Sequence, residues 1–104
     1  MHEAGIMEKT RSVSGKYIHL TFKQWYHITE SHDYMAGNIE KVLETVYRPD
    51  FIAKGTKGEL IALKHYLRTN ITDKYCVVIY KENNDGFIIT AFLHLNQKPL
   101  RRKV

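Results

Sequence analysis

The chain has one cysteine, Cys76, and no apolar run approaching the ~20 residues that a membrane span requires. A lone thiol closes no internal disulfide, and the N-terminus lacks the basic-then-apolar pattern of a secretory signal. These absences predict a cytoplasmic protein, with no membrane association, held together by its core. Chemical motifs are equally sparse. There is no HExxH, GxGxxG, phosphate-binding loop or GxSxG, so zinc hydrolysis, nucleotide-dependent reactions and serine hydrolysis have no support. Gly55-Thr-Lys-Gly58 is too short for a Walker loop and reads as a hairpin turn. His27 and His32 stand about 140° apart around a helix, whereas helical metal ligands use spacings of three or four residues. No metal or other cofactor is implied.

What is present is a chain of 104 residues, 43% hydrophobic and 26% charged, the size of one domain that folds without staples. The formal charge of +5 is uneven. Lys98, Arg101, Arg102 and Lys103 lie in a short basic tail (98–104), which leaves 12 basic residues against 11 acidic ones before it. The total is therefore a weak argument for nucleic acid. A local excess is more telling: Lys54, Lys57, Lys64 and Arg68 stand against Glu59 alone in residues 54–68.

Residues 1–15 show no apolar period and read as a flexible leader, and a single domain is predicted over 16–97. Lys16–Leu20 is a short β-rich run. Thr21-Phe-Lys-Gln24 then fits a capping box that opens a helix, with Phe22, Trp25, Tyr26 and Thr29 on one stripe. Met35, Ile39, Val42, Leu43 and Val46 predict a second, amphipathic helix, closed by Arg48-Pro49-Asp50. From there the period is two. Strands are predicted at Phe51–Lys54, Glu59–Arg68, Tyr75–Glu82 and Phe87–Leu95, with a hairpin turn at Asn83–Gly86. Two N-terminal helices followed by these strands predict an α+β fold, the helices packed on one face of a four- to five-stranded antiparallel sheet.

The unbroken apolar row Phe87, Ile89, Ala91, Leu93 and Leu95 is expected to face the helices, with Ile61, Leu63 and Leu67 of the earlier strand. The open face is then expected to carry Lys64, Tyr66 and Arg68, then Cys76, Val78 and Tyr80, then Ile88, Thr90, Phe92 and His94. Basic and aromatic groups together suit stacking and phosphate contact.

One resemblance extends this reading. Trp25-Tyr-His27-Ile28, Glu30-Ser-His32-Asp33, Val42 to Val46 and Arg48-Pro49-Asp50-Phe-Ile52, followed by Tyr75-Cys-Val-Val-Ile-Tyr80 and Gly86-Phe-Ile-Ile-Thr90-Ala91-Phe92, resemble phage-associated members of the barnase/EndoU/colicin/RelE-like (BECR) nuclease superfamily. The likeness spans roughly residues 17–95, and each motif is short. It implies a metal-independent endoribonuclease of phage or toxin-antitoxin type, cutting single-stranded RNA by 2′-hydroxyl transphosphorylation. His27, His32 and Thr90 are the catalytic residues it implies. Lys64 and Arg68 would clamp phosphates, and Tyr66, Tyr80 and Phe92 would offer RNA-binding surface. Members commonly carry Pro and then an acid after the second histidine, where this chain has Asp33 and Tyr34.

Structural roles compete with each of these. His27 can cap the end of a helix, His32 can cap a loop, and Lys64 and Arg68 can be solvated charges. Tyr66, Tyr80 and Phe92 can pack under the leader or a partner subunit. Cys76 reads as a small buried hydrophobe. The alternative function is a noncatalytic module of the same fold that binds RNA or a protein such as an antitoxin. A further one is a structural module that pairs as a homodimer through its open face or an edge strand.

Overall fold

A computed structural model of the chain describes residues 5–67, 69–70, 74–83 and 85–95. Its first strand, β1 (Ile6–Arg11), lies inside the segment that reads as a leader, and pairs antiparallel with β2 (Tyr17–Thr21). The turn between them is tied by Ser12 N donating to Lys16 O at 2.9 Å, and Gly15 supplies its positive φ of 87°. Only Ile6, Met7 and Thr10 of β1 are even half-buried, so no apolar alternation announces it. Its exposed Glu8, Lys9 and Arg11 are the charges that keep an edge strand from pairing further. Thr10 Oγ1 fastens it by donating to Leu43 O at 3.1 Å.

Helix α1 (Phe22–Ser31) is capped as its sequence predicts, with Thr21 Oγ1 accepting from Gln24 N at 3.0 Å. The Gln24 side chain does not close a capping box. Its amide donates to the carbonyl of Ile89 in the last strand, so α1 covers the edge of that strand. The helix buries Ile28, half-buries Trp25 and Thr29, and leaves Phe22 and Tyr26 exposed, which divides the stripe expected of it. A short 3-10 helix (Asp33–Gly37) separates it from α2 (Ile39–Tyr47), which buries Val42, Thr45 and Val46. The apolar period starting at Met35 is thus shared by two helical pieces.

Strands β3 (Phe51–Lys54), β4 (Leu60–Tyr66), β5 (Lys74–Lys81) and β6 (Gly86–Leu95) follow. The sheet has six strands in the order β1-β2-β6-β5-β4-β3, and it is mixed, because β2 runs parallel to β6. The expectation of four to five antiparallel strands after two N-terminal helices is corrected on both counts. The reason is the β1–β2 hairpin, which docks beside β6 through the pairs Ile18↔Gly86 and His19↔Phe87. Gly86 makes that approach feasible, since a Cβ there would lie 2.6 Å from the Tyr17 carbonyl oxygen.

Ile28, Met35, Val42 and Val46 pack onto Ile18, Leu20, Ala62, Cys76, Val78, Tyr80, Ile88, Ala91 and Leu93, so the core lies between the helical segments and one sheet face. The register places Leu60, Ala62, Lys64 and Tyr66 on this same covered face, opposite Tyr80, Val78, Cys76 and Lys74. The expected face assignment is therefore reversed for β4 and β5. Small residues Ala62 and Cys76 let helix α2 approach β4 and β5 there, and apolar residues occupy both faces, so alternation alone could not choose between them. In β6 the parity changes partway. Ile79 pairs with Thr90 but Tyr80 with Ile88, a bulge that leaves Ile89 as the extra residue. Ala91 and Leu93 face the helices as expected, whereas before the bulge it is Ile88 that is buried, and Phe87 is exposed.

Candidate nucleic-acid interface

The other face of the sheet is the open one, and no described helix packs over it. Across its middle runs the row Phe51–Leu63–Val77–Phe92, one residue from each of β3, β4, β5 and β6. Beside it is the row His65–Tyr75–His94, in which the His65 and Tyr75 rings are 5.1 Å apart. Thr90 shares the face with Ile79. No Asp or Glu occurs among the described strand residues whose register directs them to this side.

His32 reaches the rim of that face. It follows α1, where its backbone N–H donates to Ile28 O at 2.8 Å, and its own carbonyl accepts from Met35 N at 2.8 Å. The chain thus turns sharply on both sides of it, and its ring comes 5.6 Å from Phe92 and 5.7 Å from Tyr34. Tyr34 Oη lies 3.3 Å from His32 Nδ1. If that hydroxyl donates, the neutral ring carries its proton on Nε2 and can offer it as a hydrogen-bond donor. If it accepts, the proton sits on Nδ1 and Nε2 is a base. Thr90 lies two residues from Phe92 along β6, about 7 Å away on the same face.

The remaining predicted residues do not gather there. His27 is exposed on α1 and its ring contact is with Tyr26, at 6.2 Å. Neither hydrogen bonds nor ring contacts among the described residues join it to His32 or Thr90. The Glu30 carboxylate, one turn on along α1, holds the Tyr26 phenol above its ordinary pKa.

Of the predicted RNA contacts, Phe92 alone stands on the open face among the described residues. Lys64 faces the helix side, where Nζ donates to Arg48 O at 3.0 Å. Tyr66 is on that side too, its hydroxyl donating to Glu44 Oε1 at 2.7 Å, and burial followed by that carboxylate raises its pKa well above the ordinary value. Tyr80 is fully buried in the core, and burial likewise pushes its phenol up. Arg68 and the basic tail 98–104 lie outside the described residues. The reversed parity of β4 and β5 explains all three displacements: a one-residue change of phase moves every side chain of a strand to the opposite face.

The same change brings His65 and Tyr75 to the open face, because Ala62 and Cys76 occupy the covered one, and there they join His94, which alternation along β6 already directed to that side. Small residues aligned across neighbouring strands were the available signal, since they mark where a helix can sit closest.

A hollow of about 410 Å³ between the turns at the ends of β3 and β5 is lined by Lys54, Glu59, Leu60, Glu82 and Asn83, and by none of the predicted catalytic residues. Among the described residues no three His, Cys, Asp or Glu side chains come together as a metal would need. None of the described helices is long and apolar enough to cross a membrane. No family model, curated protein or solved structure matches the chain.

Proposed function

We propose that the open face binds single-stranded RNA and that the chain cleaves it as a metal-independent endoribonuclease. The observation that carries this reading is the position of His32, its ring tilted 5.6 Å from Phe92 at the rim of a face to which no described strand residue directs a carboxylate, with Thr90 on that same face. A base stacks on an aromatic ring whatever its identity, and the lack of acids on those strand residues limits local repulsion of the phosphate backbone. The resemblance to BECR nucleases supplies the reaction class and a phage or toxin-antitoxin setting, with a protein antitoxin as partner.

In such a reaction the ribose 2′-oxygen attacks the adjacent phosphorus, a base takes the 2′-proton, and an acid protonates the departing 5′-oxygen. The products are a 2′,3′-cyclic phosphate and a free 5′-hydroxyl. His32, with Tyr34 at Nδ1, serves one of the two proton transfers through Nε2, and Thr90 donates to a non-bridging phosphate oxygen. His27 is the candidate for the other transfer. A noncatalytic RNA-binding role is the second reading, and the observation in its favour is that His27 turns its ring to Tyr26 and not to His32.

The deciding experiment incubates the purified chain with end-labelled single-stranded RNA in EDTA, beside His32→Ala, His27→Ala and Thr90→Val. Cleavage to cyclic-phosphate ends, slowed about 100-fold or more by His32→Ala, is expected. Binding without cleavage favours the noncatalytic role. Cleavage indifferent to His32 and Thr90 refutes the assignment of the site.

A further inference from the structure

At the end of the open face away from His32, the register aligns Lys9, His19, Phe87 and Lys81 in one row across β1, β2, β6 and β5. Tyr17, beside this row on β2, is 55% exposed, with Lys9 Nζ 5.3 Å and Arg11 Cζ 5.2 Å from its ring centre. Phe87 is 43% exposed, although it is an apolar residue in the middle of a four-strand row. These residues follow from features that the sequence did not announce. The leader strand brings Lys9 and Arg11, the parallel joint brings Tyr17 and His19 beside β6, and the bulge turns Phe87 outward.

We infer that this patch is a second contact region for the same RNA, gripping nucleotides that flank the segment at His32. This inference rests on the reading of the open face as an RNA surface. Phe87 lies five residues from Phe92, so the two regions are separated by roughly 16 Å along β6, too far for one nucleotide to touch both. Two exposed rings with cations beside or across from them offer stacking and phosphate neutralisation together, the combination that holds single strands without reading their sequence. Lys9 and Arg11 are already drawn up to the Tyr17 ring, so a base stacked on that ring has two cations at its backbone. Lys81, at the other end, shares its field with Glu59 and contributes less. The predicted substrate is therefore a single strand several nucleotides longer than the reaction itself requires, bound in a salt-sensitive way.

The test is fluorescence anisotropy in EDTA with two uncleavable 2′-O-methyl RNA probes, a trinucleotide and an oligonucleotide of about 12 residues. Tyr17→Ala and the paired change Lys9→Gln with Arg11→Gln are compared with wild type, and circular dichroism verifies that each is folded. All three positions are exposed, so the core is untouched. Wild type is expected to bind the longer probe at least tenfold more tightly, and Tyr17→Ala to remove about tenfold of that advantage. The paired change is expected to flatten the salt dependence by about 1.4 in log K against log salt. Trinucleotide binding should not change. Equal affinity for the two probes, or variants that bind the longer probe like wild type, overturns the second contact region while leaving the RNA reading of the face intact. Failure of wild type to bind either probe removes both.

Discussion

Replacing Gly86 by alanine tests the least expected feature of the sheet, its parallel joint. Gly86 is buried opposite Ile18, and a Cβ built on it lies 2.5 Å from Ile18 Cδ1, 2.6 Å from the Tyr17 carbonyl oxygen and 3.2 Å from that of Lys81. Carbon contacts are comfortable at about 3.5–4.0 Å, so the two closest approaches are short by roughly an ångström. Ile18 is itself fully buried and has no space to turn into, and the Tyr17 oxygen belongs to the backbone. The strain must then be relieved by separating β2 from β6, which are joined through two residue pairs.

Overpacking of this kind costs about 1–3 kcal/mol, against which the lower chain entropy of unfolded alanine returns about 0.4–1 kcal/mol. A net loss of about 1–2 kcal/mol is expected, equivalent to roughly 5–15 °C in Tm for a domain near this size. Urea titration followed by far-ultraviolet dichroism and by the fluorescence of Trp25, the sole tryptophan, measures it. The m-value should stay constant if the loss is in the native state. Gly37→Ala is the control: its φ is not positive, nothing lies within 4 Å of its added Cβ, and it should be neutral or slightly stabilising. If Gly86→Ala unfolds at the same urea concentration as Gly37→Ala, the parallel docking of β2 is refuted.

Other perturbations probe the covered face. Tyr80 Oη is buried and has no hydrogen-bond partner among the described residues, so Tyr80→Phe should raise stability by about 1 kcal/mol, and a loss in the same urea titration contradicts the burial described for it. Burial pushes the Cys76 thiol up to about 11, with a smaller opposing effect from the Thr45 hydroxyl. Native protein at pH 8 should accordingly resist a disulfide-exchange reagent that labels it at once in urea. The raised pKa of Tyr66 means that its phenol ionises first in the unfolded chain, so the unfolded state holds fewer protons above about pH 10. Its contribution to stability is complete below that pH and is lost as pH rises further. Tyr66→Phe should flatten the alkaline limb of a stability profile, and an unchanged limb counts against the hydrogen bond to Glu44.

Much of the local structure was legible because it depends on neighbours in the chain. Thr21 caps α1, Arg48-Pro49-Asp50 closes α2, and β5 and β6 pair as the expected antiparallel hairpin, all from chemistry within a few residues. The candidate site was legible only in fragments. His32, Thr90 and Phe92 do share one side of the sheet, while Lys64, Tyr66 and Tyr80 do not join them, because a strand with apolar residues at both parities carries no label for the face that its helices will choose.

The sequence by itself determined the α+β class, both helices, four of the strands after them and the weakness of total charge as a guide to partners. Tertiary structure alone decided that a strand forms within the leader, that β2 lies parallel to β6, and which face of β4 and β5 is covered. Those three outcomes depend on contacts between residues far apart in the chain: Thr10 with Leu43, Ile18 with Gly86, and Val42 and Val46 with Ala62 and Cys76. A helix cap or a hairpin turn is stabilised locally and leaves its mark in neighbouring residues. Strand pairing and face selection gain their energy only when distant segments bury surface together, and local sequence records them only where a small residue, such as Gly86, leaves space for the contact.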